Sequence, residues 1–177
     1  MIDELPCSTD SYQNLVSGIS GVYSAARDSA ARSVNSILVQ AYWEIGRYIV
    51  EFEQGGDLKS EYGSKLIERL SRDLTAKFGK GFSRSNLRYI RKFYITHQKR
   101  VTLSRELSWS HYYQILKADD ELEISFYERE CEIEGWSVRE LRRQMDSMLF
   151  HRIALSKDKE GIIELAREGG TLSKPSD

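Results

Sequence analysis

Arg84, Arg88 and Arg91 stand four and three residues apart, in a stretch that also carries Lys77, Lys80 and Lys92. On a helix that turns about 100° per residue, the three arginines share one narrow stripe. Side chains of this kind hold phosphate. A guanidinium donates two parallel hydrogen bonds to phosphate oxygens, and an ammonium adds a point charge. Arg69 and Arg72, just upstream, extend the same chemistry. Residues 62–105 hold twelve basic side chains and only two acids, Glu68 and Asp73, in a protein of net charge −1. Positive charge concentrated in this way points to a polyanion. The expectation is that Arg84, Arg88, Arg91 and Lys92 face the groove or backbone of DNA. Lys77, Lys80, Arg69 and Arg72 would hold flanking phosphates.

Other chemistry finds no comparable set. Gly79-x-Gly81 follows a helical pattern and lacks the rest of a phosphate-loop fingerprint. His97, His111 and His151 each stand without a second ligand at metal spacing, and His111 reads as a packed or polar-rim histidine. Metal-dependent nuclease chemistry needs carboxylates to hold Mg²⁺ and a nearby lysine. One Asp-x-Lys occurs, Asp57-Leu58-Lys59, in a loop between helices with no strand to present it. Cys7 and Cys131 make no disulfide framework and fit no zinc spacing, so reduced thiols in a cytoplasmic protein are expected. No apolar run is long enough to span a bilayer, and the N-terminus lacks a basic-then-apolar signal. The expectation is no catalytic residue, no cofactor and no metal.

The elements that must position the basic stripe are helical. Leu66, Ile67, Leu70, Leu74 and Phe78 form one helical pattern, and Leu87, Ile90, Phe93 and Tyr94 form a second. Gly79 and Gly81 between them can take the positive φ that ends a helix. Ser83 is a good N-cap for the next, because its hydroxyl accepts from an orphan N–H. Helix, glycine turn, helix is the outline of a helix-turn-helix.

The chain as a whole reads as all-α, with only two prolines, Pro6 and Pro175. A small winged hairpin near residues 101–107 is the one β element it leaves room for. Three segments are expected. Residues 1–56 form an arm and a long helix, 57–105 the basic core, and 106–177 C-terminal helices on the same domain. The long helix, at about 60 Å, overshoots a globule whose radius of gyration is about 16 Å. It therefore breaks near Gly18 to Gly21, or its first half packs on something else. Dimers or larger assemblies built through residues 12–52 are expected. Gly46, inside that helix, costs about 1 kcal/mol against alanine, so it should admit a neighbouring helix.

Downstream, Ser108 caps a short helix rich in aromatics. Asp119 or Asp120 caps an acidic one, and residues 119–134 carry eight acids against Arg129 alone. Ser137-Val138-Arg139-Glu140 has the form of a capping box. It opens a helix burying Val138, Leu141, Met145, Met148, Leu149 and Ile153. A last helix is expected over residues 157–167.

Five motifs in order now resemble a known family. They are Tyr42-Trp43-Glu44-Ile45-Gly46-Arg47, Glu61-Tyr62-Gly63, Phe78-Gly79-Lys80-Gly81-Phe82-Ser83 with Asn86-Leu87 and Phe93-Tyr94, Leu107-Ser108-Trp109-Ser110-His111, and Trp136-Ser137-Val138-Arg139-Glu140-Leu141. Over residues 15–173 the chain resembles the N-terminal domain of the bacterial YhcG-type family. The resemblance implies a helical, helix-turn-helix-like domain joined to a C-terminal PD-(D/E)xK nuclease domain. The chain ends at Lys174-Pro175-Ser176-Asp177, about where that half would begin, and the nuclease carboxylates and lysine have no counterpart in it. The implied role is DNA binding that targets or assembles a nuclease, without nuclease activity of its own. The alternative is an oligomerisation or protein-interaction module that makes no contact with DNA.

Overall fold

The structure, a computed structural model, describes residues 9–55, 60–99 and 103–155, together with 160, 161, 164 and 166. Seven helices and no strand occur among them: α1 Thr9–Gly55, α2 Ser60–Phe78, α3 Arg84–His97, α4 Trp109–Ile115, α5 Glu121–Glu134, α6 Val138–Asp146 and α7 Leu149–Ala154. The all-α expectation holds. Residues 103–107 form no strand, while 101 and 102 lie outside the described residues, as does most of the helix expected over 157–167.

α1 does not break. Its 47 residues run straight through Gly18 and Gly21, a length of about 70 Å. Neither glycine has anything within 4 Å of where a Cβ would sit. Two glycines cost about 2 kcal/mol of helix propensity, and the good helix formers around them outweigh it.

Only the C-terminal third of α1 enters the core. It lies along α3, and Gly46 is where the two backbones meet. A Cβ there would stand 2.5 Å from the Ile90 carbonyl oxygen and 2.7 Å from the Tyr94 Cβ. Trp43 packs edge-on to Tyr94 at 4.9 Å, and its Nε1–H donates to the His97 carbonyl at 3.4 Å. Leu87, Ile90 and Phe93 are buried completely beneath α1 and α4. Trp109 of α4 ties the halves of the core together. Its ring lies 4.6 Å from Tyr42 and 5.6 Å from Phe93.

α5 packs a face that composition conceals. Glu128 and Glu130, in the middle of the acidic stretch, are buried. Glu128 meets His97, whose imidazole is wholly enclosed. The His97 Nδ1–H donates to the Phe93 carbonyl at 2.8 Å, and Nε2 lies 2.6 Å from Glu128 Oε1. Cys131, also on α5, is a free thiol. Burial, with Glu128, Glu130 and Glu132 nearby, pushes its pKa up to about 12.

The expected long helix after Ser137 is two helices. Met148 takes a left-handed conformation, φ 54° and ψ 40°, and separates α6 from α7. The turn lets Leu149 and Phe150 swing into the core, where the Phe150 N–H donates to the Tyr127 hydroxyl at 3.3 Å. Met148 itself is exposed. Of the expected capping box, the Ser137 hydroxyl accepts from the Glu140 N–H at 3.2 Å. The Glu140 carboxylate bonds Arg143 and Gln144 instead of reaching back.

His111 is fixed as one tautomer. Its Nδ1 accepts from the Ser108 N–H at 3.1 Å, and its Nε2–H donates to the Trp136 carbonyl at 3.0 Å. Burial holds its pKa below the ordinary 6.5, against the opposing pull of the Trp136 carbonyl. The folded protein therefore disfavours the imidazolium. Below about pH 6.5 the unfolded chain binds more protons, and stability falls as pH drops through the folded pKa. The melting temperature of the parent should fall more between pH 7 and pH 5.5 than that of His111→Gln, which has no imidazole to protonate. Parallel curves would contradict this.

Candidate nucleic-acid interface

The basic face is built on two helices and the turn between them. α2 ends with the Gly79 N–H donating to the Thr75 carbonyl at 2.9 Å. Gly79 and Gly81 take φ of 80° and 121°, values that suit glycine alone. Ser83 then caps α3, its hydroxyl accepting from the Asn86 N–H at 3.2 Å. Asn86 is the tie of the turn. Its side-chain amide donates to the Gly81 carbonyl, and its Oδ1 accepts from the Trp109 indole at 3.0 Å. A flexible glycine turn is thereby anchored to the core. The first turn of α3 contains no acid, so the positive end of its dipole stands unopposed.

The eight basic residues expected at the site divide into two sets. Arg84, Arg88, Arg69, Arg72, Lys77 and Lys80 are all exposed. Arg84 reaches across to Glu68 of α2 at 3.1 Å, both side chains 62% exposed. Asp73 faces Arg72 at 3.0 Å and Arg69 at 3.9 Å. Lys77 lies over the Phe78 ring at 5.2 Å. Exposed pairs of this kind contribute about 0–1 kcal/mol, so a phosphate can displace them.

Arg91 and Lys92 are half-buried and bond to neighbouring segments. The Arg91 Nε–H donates to Glu53 of α1 at 2.6 Å, and that carboxylate is only 18% exposed. Lys92 donates to the Ala118 carbonyl at 2.8 Å and to Asp119 at 2.9 Å. These two side chains fasten α3 to α1 and to the loop before α5. The stripe drawn from spacing alone is continuous around the helix, but neighbouring elements cover one edge of it.

Lys65 adds a contributor that charge counting alone did not single out. It joins Arg69, Arg72 and Arg84 around a groove of about 840 Å³, which Ser71 and Thr75 also line. The 65, 69, 72 spacing, one helical face, was the available signal. No group of three or more His, Cys, Asp or Glu placed to hold a metal occurs among the described residues. Asp57, Leu58 and Lys59 lie outside them. No helix among them is long and apolar enough to cross a membrane.

A second surface is apolar. α1 and α2 form a groove of about 810 Å³ lined mostly by apolar side chains, Ile45, Tyr48, Phe52, Leu70 and Phe78 among them, together with Arg69 and Asp73. Tyr48, Phe52 and Phe78 are each at least 60% exposed.

Fold and surfaces together define an all-helical domain with one exposed basic face and one long helix that extends beyond the core. The chain matches the DUF1016 N-terminal domain over residues 18–152, and it belongs to that family. It is 36% identical over 189 aligned positions to the Escherichia coli (strain K12) protein described as "Putative nuclease YhcG". The alignment covers 89% of this chain and 50% of that protein, so the chain spans half the length of its relative. The motifs at residues 42–47, 78–83 and 107–111 lie within the matched region. No solved structure matches the chain.

Proposed function

We propose that this chain is a DNA-binding module that positions or assembles a YhcG-type nuclease on duplex DNA. The supporting observation is the exposed basic face of α2, the turn and α3. There Arg69, Arg72, Lys77, Lys80, Arg84 and Arg88 all reach solvent, and the ion pairs that Arg69, Arg72 and Arg84 make are exposed and weak. The positive end of α3 adds a favourable place for one phosphate. Arg91 and Lys92 act from behind, holding α3 in place. On this reading the chain contributes binding, and the C-terminal nuclease domain that the family resemblance implies would contribute cleavage.

The test is salt dependence. Removing one phosphate-binding side chain lowers the slope of log affinity against log salt by about 1. Arg84→Ala with Arg88→Ala should flatten the slope by about two on a mixed-sequence duplex and weaken binding on every sequence. Arg139→Ala with Arg142→Ala, exposed on α6, is the control and should leave the slope unchanged. If the α3 pair binds like the parent, or the control loses as much, the DNA reading is wrong.

A second reading has its own support. Among the described residues, eleven of the sixteen exposed large hydrophobic side chains lie on α1. A helix apolar on its free side calls for a partner. Self-association through α1 is compatible with DNA binding by the turn and α3, while Arg69 and Asp73 of α2 border both surfaces. Were the DNA test to fail, assembly alone would remain.

A further inference from the structure

We infer that α1 pairs with α1 of a second copy, antiparallel, about a twofold axis at Ala30. The inference rests on the self-association reading and specifies its geometry. Successive residues of a helix step about 100° around its axis. Gly46 faces α3, and the buried Val39 and Val50 lie on the same side of α1. The exposed apolar side chains of α1 fall on the opposite face, from Tyr12 to Phe52.

Most of that stripe reads the same from either end, the exceptions being Val16, which falls level with Glu44, and Phe52, whose counterpart number precedes α1. An antiparallel pair centred on residue 30 sets side by side positions whose numbers sum to 60. Tyr12 then falls level with Tyr48, Leu15 with Ile45, and Ile19 with Ala41. Towards the centre, Val22 meets Leu38, Tyr23 meets Ile37, and Ala26 meets Val34. Ala30 meets itself. A twofold, isologous interface requires this self-complementarity. In a parallel pair each position meets itself and the symmetry would serve no purpose. The small side chains Ala26 and Ala30 stand at the centre, where two helices can approach most closely, and large ones stand at the ends.

The register also says what fills the apolar groove. Ile45 and Tyr48 line its α1 wall. In this register Leu15 and Tyr12 of the second copy lie against them. Each groove therefore receives the beginning of the other copy's α1. An interface of standard size takes about 800 Å² from each partner. Shared among the eleven exposed side chains, that is about 75 Å² each, within reach of groups so exposed.

Cross-linking of the intact chain, in a Cys7→Ser background, separates the registers. In the antiparallel pair, Tyr23→Cys of one copy lies beside Ile37→Cys of another. Two Tyr23→Cys positions are then about fourteen residues of rise apart, about 21 Å. A short thiol cross-linker should join the two variants when they are mixed and should not join Tyr23→Cys to itself. Ala30→Cys should join to itself. If Tyr23→Cys links to itself and the mixture gains nothing, the antiparallel register is overturned, though association stands. Light scattering on the parent shows the other failure. A monomer at tens of micromolar would overturn both the register and the self-association reading.

Discussion

Glu128→Ala should destabilise the protein by about 1–3 kcal/mol, the usual consequence of leaving a buried polar atom without its hydrogen-bond partner. His97 is completely buried and Glu128 nearly so, with 2.6 Å between Nε2 and Oε1. A contact that short needs one proton between the atoms, whichever carries it. The Nδ1–H is already committed to the Phe93 carbonyl at 2.8 Å. Alanine at 128 therefore leaves Nε2 enclosed with no partner at that point. Glutamine keeps the shape, and its amide can donate to a neutral Nε2, so Glu128→Gln should lose much less. Urea melts of the three proteins decide it. Equal losses for alanine and glutamine would mean that charge, not hydrogen bonding, holds α5 to α3.

Alanine in place of glycine should have opposite effects at two positions of α1. At Gly46 the new methyl would meet the Ile90 carbonyl at 2.5 Å, and a backbone atom cannot give way without moving α3. Overpacking of this kind costs about 1–3 kcal/mol, and the tight contact puts Gly46→Ala at the upper end. Helix propensity returns about 1 kcal/mol. The net loss of about 2 kcal/mol lowers the melting temperature by about 4–8 °C. At Gly18 nothing lies within 4 Å, so only the propensity gain remains, and Gly18→Ala should raise helix content along α1. Thermal melts followed by circular dichroism would check both. A Gly46→Ala protein as stable as the parent would show that α1 and α3 can separate slightly without penalty.

Local signals in the sequence were legible, and long-range pairings were not. The end of α2, the glycine turn and the start of α3 follow from residues close to one another along the chain. Ser83, Gly79 and Gly81 carry that information in their own chemistry. Gly46 was legible for the same reason, since a glycine that interrupts a strong helix needs a cause. The partners of Arg91 and Lys92, by contrast, are Glu53 and Asp119, 38 and 27 residues away. Helical spacing places an arginine on a face but says nothing about what covers that face. The buried Glu128 and Glu130 were hidden likewise. A run of acids reads as solvated surface, and only the arrival of His97 from α3 gives Glu128 a reason to be inside. The break at Met148 carried no glycine or proline to announce it. There the drive to bury Leu149 and Phe150 overrides an ordinary side chain's aversion to positive φ. Continuity of α1 through Gly18 and Gly21 went the other way, two weak breakers yielding to many good neighbours.

The buried thiol gives this fold a built-in clock. With its pKa near 12 and almost no exposure, Cys131 is a poor nucleophile in the native protein at neutral pH. It reacts with a soluble disulfide reagent only when α5 opens. In Cys7→Ser protein, the labelling rate at Cys131 divided by the rate of an unfolded thiol is the fraction of time that helix spends open. The same measurement repeated with duplex DNA present would report, at a distance from the basic face, whether nucleic acid closes the core that carries it.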